Sequence, residues 1–260
     1  MAASLTFGRI ARSKEGGPLR RIHCGGRPSP SGFYSARKSH GRHLPWESRP
    51  AELQAIILND VSWRVSEVMS QPHRLDIFVR GEPSPLHYIP DLELVAEPSF
   101  AREICSGVPL AVAAMAWDPK PVLSASAARL VLEIKNDDDP RNDDPRYQSK
   151  IKLAKEVYRR LGYYFAVVHR SEGIDCVDLA FARDIAADRF CKVATTDRLF
   201  VQDYLTDQGG CSLLSRLINA LGGSPNAMAC ISALHFDRVL CIEIAAPRDQ
   251  CRVALIERER

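Results

Sequence analysis

The sequence predicts an α/β fold: a mixed sheet flanked by helices, followed by a smaller, mainly helical module. Three observations carry this. Tyr147, Ile151, Ala154, Tyr158 and Leu161 recur at helical spacing over 147–161. That segment lies between two strand-like runs, 129–135 and 163–169, so strand, helix and strand read as a crossover unit. After about residue 175 the pattern changes to helical stretches at 178–190, 211–221 and 225–234, closed by short strands at 237–244 and 251–256.

Composition sets the outer bounds. The 260 residues are 45% hydrophobic and 26% charged, the balance of a globular protein of one large or two smaller domains. No apolar run approaches the ~20 residues of a membrane helix, so no membrane partner and a cytoplasmic location are expected. The eight cysteines (24, 105, 176, 191, 211, 230, 241, 251) include no C-x-x-C pair, which argues against a zinc ribbon or finger. Several sit among aliphatic residues, as in Val239-Leu240-Cys241-Ile242, and read as small core residues in a reducing compartment.

Charge is unevenly placed. Residues 1–45 carry +8 of a net +3, leaving −5 for the rest. Residues 1–30, rich in Gly, Arg and Pro, are expected to form a basic, poorly ordered arm. Such an arm suits contact with a polyanion such as DNA, or a solvated tail. A transit peptide fits less well, because Gly16-Gly17-Pro18 and Gly25-Gly26 would interrupt a presequence helix. A secretory signal is not expected, for want of an apolar segment.

From here the elements follow in order. A helix is expected over about 48–59, with Ser48 as N-cap, Pro50 in the first turn and Leu53, Ile56 and Ile57 as its apolar stripe. Glu52 falls on the rim of that stripe. A strand near 73–80 and a turn at Gly81–Pro85 lead to a second strand over 86–95. Period two puts His87, Ile89, Asp91 and Glu93 on one face and Tyr88, Leu92 and Leu94 on the other. Pro90 marks an edge or a bulge in it. Residues 96–128 read as an insertion with one short helix near 108–116. In the strand 129–135, Leu130, Leu132 and Ile134 face the core, and Val131, Glu133 and Lys135 face the other way. The acidic stretch Asn136–Pro145 reads as a solvated loop, without the glycine and glutamate of a calcium loop. Gly162 is placed to end the helix of 147–161.

Asp91, Glu133 and Lys135 carry the chemistry. Two carboxylates can hold a hard cation, and an ammonium beside them can orient a water or stabilise charge on a phosphate. Mg²⁺, with Mn²⁺ as a substitute, suits Asp91, Glu133 and the main-chain carbonyl of Ile134. Lys135 would act on the attacking water or the developing charge, and Glu52 would assist. Singly, Glu133-Ile134-Lys135 is no more than an exposed strand face with alternating charges. The order of elements around it gives it weight.

That order resembles the PD-(D/E)xK nucleases, whose fold is restriction-endonuclease-like. More narrowly it resembles the catalytic domain of the TnsA endonuclease subunit of heteromeric transposases. The matching residues are Ser35-Ala36-Arg37-Lys38, Trp46-Glu47-Ser48, Glu52-Leu53, Val65, Val68, Gln71-Pro72, Tyr88-Ile89-Pro90-Asp91, Leu132-Glu133-Ile134-Lys135, Leu161-Gly162-Tyr163-Tyr164-Phe165 and Val167-Val168. They span 31–175, leaving 176–260 as a module that looks winged-helix-like. The resemblance implies Mg²⁺-dependent cleavage of double-stranded DNA at transposon ends, beside a transposase subunit. It leaves open whether Glu47 or Glu52 is the helix glutamate, and whether the chain forms a homo-oligomer. Two other functions fit the same residues: a non-catalytic DNA-binding or assembly subunit, and a restriction-type or phage end-processing nuclease.

Overall fold

The computed structural model describes residues 6–20, 30–119 and 127–256. The chain begins with β1 (Thr6–Ala11), β2 (Gly32–Ser35), β3 (His43–Trp46) and α1 (Glu52–Val61). It continues through β4 (Val65–Ser70), β5 (Arg74–Val79), β6 (Leu86–Tyr88), β7 (Leu92–Ala96), α2 (Pro98–Cys105) and α3 (Leu110–Ala114). Next come β8 (Ala128–Lys135), α4 (Pro145–Arg160), β9 (Tyr164–His169), α5 (Arg170–Gly173) and α6 (Ala180–Ala187). The last elements are α7 (Thr195–Asp207), β10 (Cys211–Leu213), α8 (Leu214–Ala220), α9 (Pro225–Phe236), β11 (Leu240–Ile242) and β12 (Arg252–Leu255). The protein is mixed α/β, and none of its described helices is long and apolar enough to cross a membrane.

The central sheet runs β4-β7-β8-β9, antiparallel except for the parallel pair β8 and β9, which α4 connects. Leu130, Leu132 and Ile134 of β8 face one core, with α1, α2 and α3. Val131 faces a second core under α4, formed with Tyr147, Ile151, Ala154 and Tyr158. The alternation along β8 thus divides two buried faces, rather than a buried face from a wet one. Asp144 caps α4 by accepting the Arg146 N–H, and Pro145 takes the first helical position. Gly162, at φ +78°, turns the chain from α4 into β9 in a conformation that disfavours a side chain.

Several expectations need correction. The basic arm is ordered where it is described. β1 pairs along its whole length with β5, and Arg9 and Arg12 reach Asp76 and Glu93. Residues 1–5 and 21–29 of that arm lie outside the described residues. The strand expected over 86–95 is two strands in different sheets, because Pro90 has no N–H for a ladder. β6 joins β5, and β7 joins β4 and β8. The break moves Tyr88 into the core under α4, away from Leu92 and Leu94. Residues 96–128 are no mere insertion: α2 buries Phe100, Ala101 and Ile104 against the sheet, and Pro98 occupies its first turn. Residues 120–126 are not described. The first long helix begins at Glu52, while Ser48 closes the preceding turn by accepting the Ala51 N–H at 3.3 Å.

Beyond α6 the chain runs α7, β10, α8, α9, β11, β12, and the strands form one antiparallel sheet in the order β10-β12-β11. A two-stranded hairpin is expected there; the third strand, β10, forms where a helix is expected, and α7 lies in a stretch without a clear apolar stripe. Leu214, Leu217, Ile231 and Leu234 belong to the same core as α1 and the central sheet. His235 is buried, and its Nε2–H donates to the Val61 carbonyl at the end of α1, while the Ile242 N–H donates to Nδ1. Burial lowers its imidazole to about 4.

Candidate active site

β8 positions Glu133 and Lys135 on the face that α4 covers. The register pairs Leu92 with Leu132, so Asp91, one residue before β7, arrives level with Glu133. Asp91 turns out of the ladder at the Pro90 break and accepts the Ile134 N–H at 2.7 Å through Oδ2. Its other oxygen accepts no hydrogen bond among the described residues. Glu52 comes from the other side of the sheet, as the first residue of α1, and accepts the Glu47 N–H at 2.8 Å.

Glu133 is 4% exposed and heavily engaged. The Tyr88 hydroxyl donates to Oε2 at 2.5 Å, the Tyr147 hydroxyl donates to Oε1, and Lys135 Nζ lies 2.9 Å from Oε1. Lys135, 2% exposed, is also 3.4 Å from Asp139 and 4.2 Å from the centre of the Tyr147 ring. Nothing in the sequence pattern singles out the two tyrosines. Tyr147 falls on the apolar stripe of its helix and Tyr88 in a strand, so both read as core. The available signal is general: a buried phenol needs a hydrogen-bond partner.

The electrostatics are lopsided. Burial, then the neighbouring Glu133 and Glu52 carboxylates, push the Asp91 carboxyl well above the usual range, against the pull of the Ile134 N–H and Lys135. Glu52 is pushed up to about 7 by burial and by the Glu47 and Glu133 carboxylates, with the Glu47 N–H opposing. The Lys135 ammonium is shared by Glu133, Asp139 and Asp91, and Glu52 adds negative charge at Asp91; such a cluster takes up either a proton or a cation. Asp91, Glu133 and Lys135 are therefore brought together, and Glu52, the first residue of α1, lies near enough for its charge to bear on Asp91.

Fit to a cation can be judged from the donors. Among the described residues no three His, Cys, Asp or Glu side chains form a metal-holding group. A site made of Asp91, Glu133 and the Ile134 carbonyl needs only two side chains, and its donors are all oxygen, as Mg²⁺ and Mn²⁺ prefer. The surplus of negative charge fits the same ions. The acidic loop after β8 is partly tied down: Asp139 holds Lys135 and Arg141, and Asp137 accepts from Ser171.

A stability test follows from Glu52. Its folded value lies above its ordinary one, so protonation favours the folded state and stability falls as pH rises from about 4.5 to about 7. Glu52→Gln is expected to reduce the loss of melting temperature between pH 5 and pH 8. In the wild type, Mg²⁺ is expected to raise the melting temperature more at pH 8 than at pH 5. Thermal melts over that range, with and without the ion, check both. No protein-family model and no curated protein sequence matches this chain.

Proposed function

We propose that the protein is a Mg²⁺-dependent endodeoxyribonuclease of the PD-(D/E)xK kind, the TnsA-like subunit that cuts double-stranded DNA at transposon ends beside a transposase subunit. One observation carries this reading: Asp91, Glu133 and Lys135 meet at the end of β8, with Glu52 close enough to raise Asp91. The order β4-β7-β8-β9 with α4 as crossover supports a restriction-endonuclease-like fold. The order α7, β10, α8, α9, β11, β12, with β12 central in its sheet, supports a winged-helix module.

The reaction is attack of water on phosphorus with loss of the 3′ or 5′ oxygen. Asp91, Glu133 and the Ile134 carbonyl would hold the cation, which when bound acidifies water and neutralises phosphate charge. Glu52, at about 7, can accept the water's proton at neutral pH. Lys135 can donate to the phosphate oxygen on which charge develops. Tyr88 and Tyr147 hold the Glu133 carboxylate in one orientation.

A second reading, a non-catalytic DNA-binding or assembly subunit, is favoured by the full engagement of Glu133 with Tyr88, Tyr147 and Lys135. Incubating the full chain with supercoiled plasmid separates the two. Nicked circles are expected with Mg²⁺ or Mn²⁺ but not with EDTA, and Asp91→Ala is expected to slow nicking on the order of a hundredfold or more. Nicking that survives both EDTA and Asp91→Ala would refute the assignment.

A further inference from the structure

A groove of about 600 Å³ opens along the first turns of α1, and its lining includes Arg49, Leu53, Ile57, Arg170, Asp175 and Arg183. Its position follows from the fold. α1 supplies Leu53 and Ile57, directly after Glu52, and Arg170 follows β9, whose last residue pairs with Lys135. The groove therefore lies toward the same end of the sheet as the carboxylate cluster, although none of the four cluster residues lines it.

Its charge is unusual for this protein. Several arginines elsewhere are matched by acids, as with Arg64 on Glu97 and Glu103 or Arg252 on Glu243. Here three arginines face one aspartate. Arg170 Nε lies 2.7 Å from Asp175 and Arg183 Nε donates to Gln54 at 2.8 Å, so each is fixed by one bond and keeps its other N–H donors. Arg49 is exposed and has no ion pair among the described residues. A single small anion would leave most of such a volume unfilled. Cations borne by three separate elements suit an extended polyanion, and guanidinium forks match phosphate. Leu53, Ile57 and Pro50 add an apolar floor, which suits sugars and base edges between phosphates.

We infer that this groove carries one strand of the nucleic-acid substrate away from the scissile phosphate, with Arg49 and Arg183 as phosphate contacts. The inference rests on the nuclease reading for the place of the scissile phosphate, but its test does not depend on cleavage. Fluorescence anisotropy with labelled duplex DNA, in EDTA, reads binding by the full chain without turnover. Arg49→Ala and Arg183→Ala are each expected to weaken binding about three- to tenfold. Each is also expected to make the slope of log affinity against log salt shallower by about one. Arg159→Ala, an equal loss of charge on α4 across the sheet, is expected to change neither. Melting temperatures confirm that the variants are folded.

Absence of DNA binding by the wild type, binding indifferent to both groove arginines, or an equal loss in Arg159→Ala would overturn the inference. So would poly-glutamate that competes as well as DNA, since the groove would then be an acidic-peptide site. Groove-dependent binding without metal-dependent nicking would refute the nuclease reading alone. Nicking with binding indifferent to Arg49 and Arg183 would refute the groove alone.

Discussion

On the proposed nuclease reading, replacing Lys135 by methionine is expected to lower DNA cleavage on the order of a hundred- to a thousandfold, the usual effect of removing one electrostatic group from a reacting centre. Methionine keeps much of the buried stem and removes only the charge. The ammonium lies against Glu133 and Asp139 at the end of β8, and it moderates the rise of Asp91. Without it the Asp91 carboxyl rises further and becomes a poorer ligand at neutral pH. Lys135→Arg is expected to fail as well, because a side chain 2% exposed against the Tyr147 ring leaves no room for a guanidinium fork. Nicking rates in Mg²⁺, set beside thermal melts, check the prediction. A folded Lys135→Met variant that cuts at the wild-type rate would remove Lys135 from the mechanism.

The largest effect on stability is expected at Glu93, which lies outside the candidate site although it is two residues from Asp91. Its carboxylate is buried and accepts from Arg12 at 2.8 Å, Arg129 at 2.7 Å and His73 at 2.9 Å, while the far side of His73 meets the Tyr158 hydroxyl at 2.6 Å. Burial alone would raise the carboxyl, but the hydrogen bonds from His73 and Arg12 bring it down to about 2. Glu93→Ala is expected to cost about 3 kcal/mol, the low end for breaking a buried pair, since Arg12 and Arg129 can turn to solvent and His73 cannot. The sign with pH is opposite to that of Glu52. A depressed value contributes stability above about 4.5 that is lost as pH falls toward 2. Urea melts at pH 7 and pH 3 should therefore differ less in Glu93→Ala than in the wild type. An unchanged midpoint at pH 7 would show that the network contributes nothing.

Asp91 and Glu93 show what the sequence can and cannot disclose. Local pattern was enough for β8, where parity alone separates Leu130, Leu132 and Ile134 from Glu133 and Lys135. It was enough for α4, where a stripe, a cap and a glycine agree. It placed Asp91 beside a proline that breaks a ladder. It could not assign Glu93, which shares Asp91's parity but pairs with Arg12, 81 residues away. The same distance hides β1. A basic stretch looks like a solvated arm until Asp76 and Glu93 are known to lie against it. Pro98 reads as a breaker in sequence and serves as a helix start in α2, and only burial of Phe100 and Ile104 distinguishes the two roles. Tyr88 and Tyr147 are invisible for a different reason: their rings fit the core pattern, and only their hydroxyls belong to the site.

The seating of α9 has a consequence for the candidate site. α1 carries Glu52 at one end and is tied at the other to His235 of α9, while its first turn is held to α6 through Gln54 and Arg183. The geometry of the glutamate is thus specified jointly by both halves of the polypeptide. The placement of Glu52 therefore depends on hydrogen bonds made by residues more than a hundred positions further along the chain.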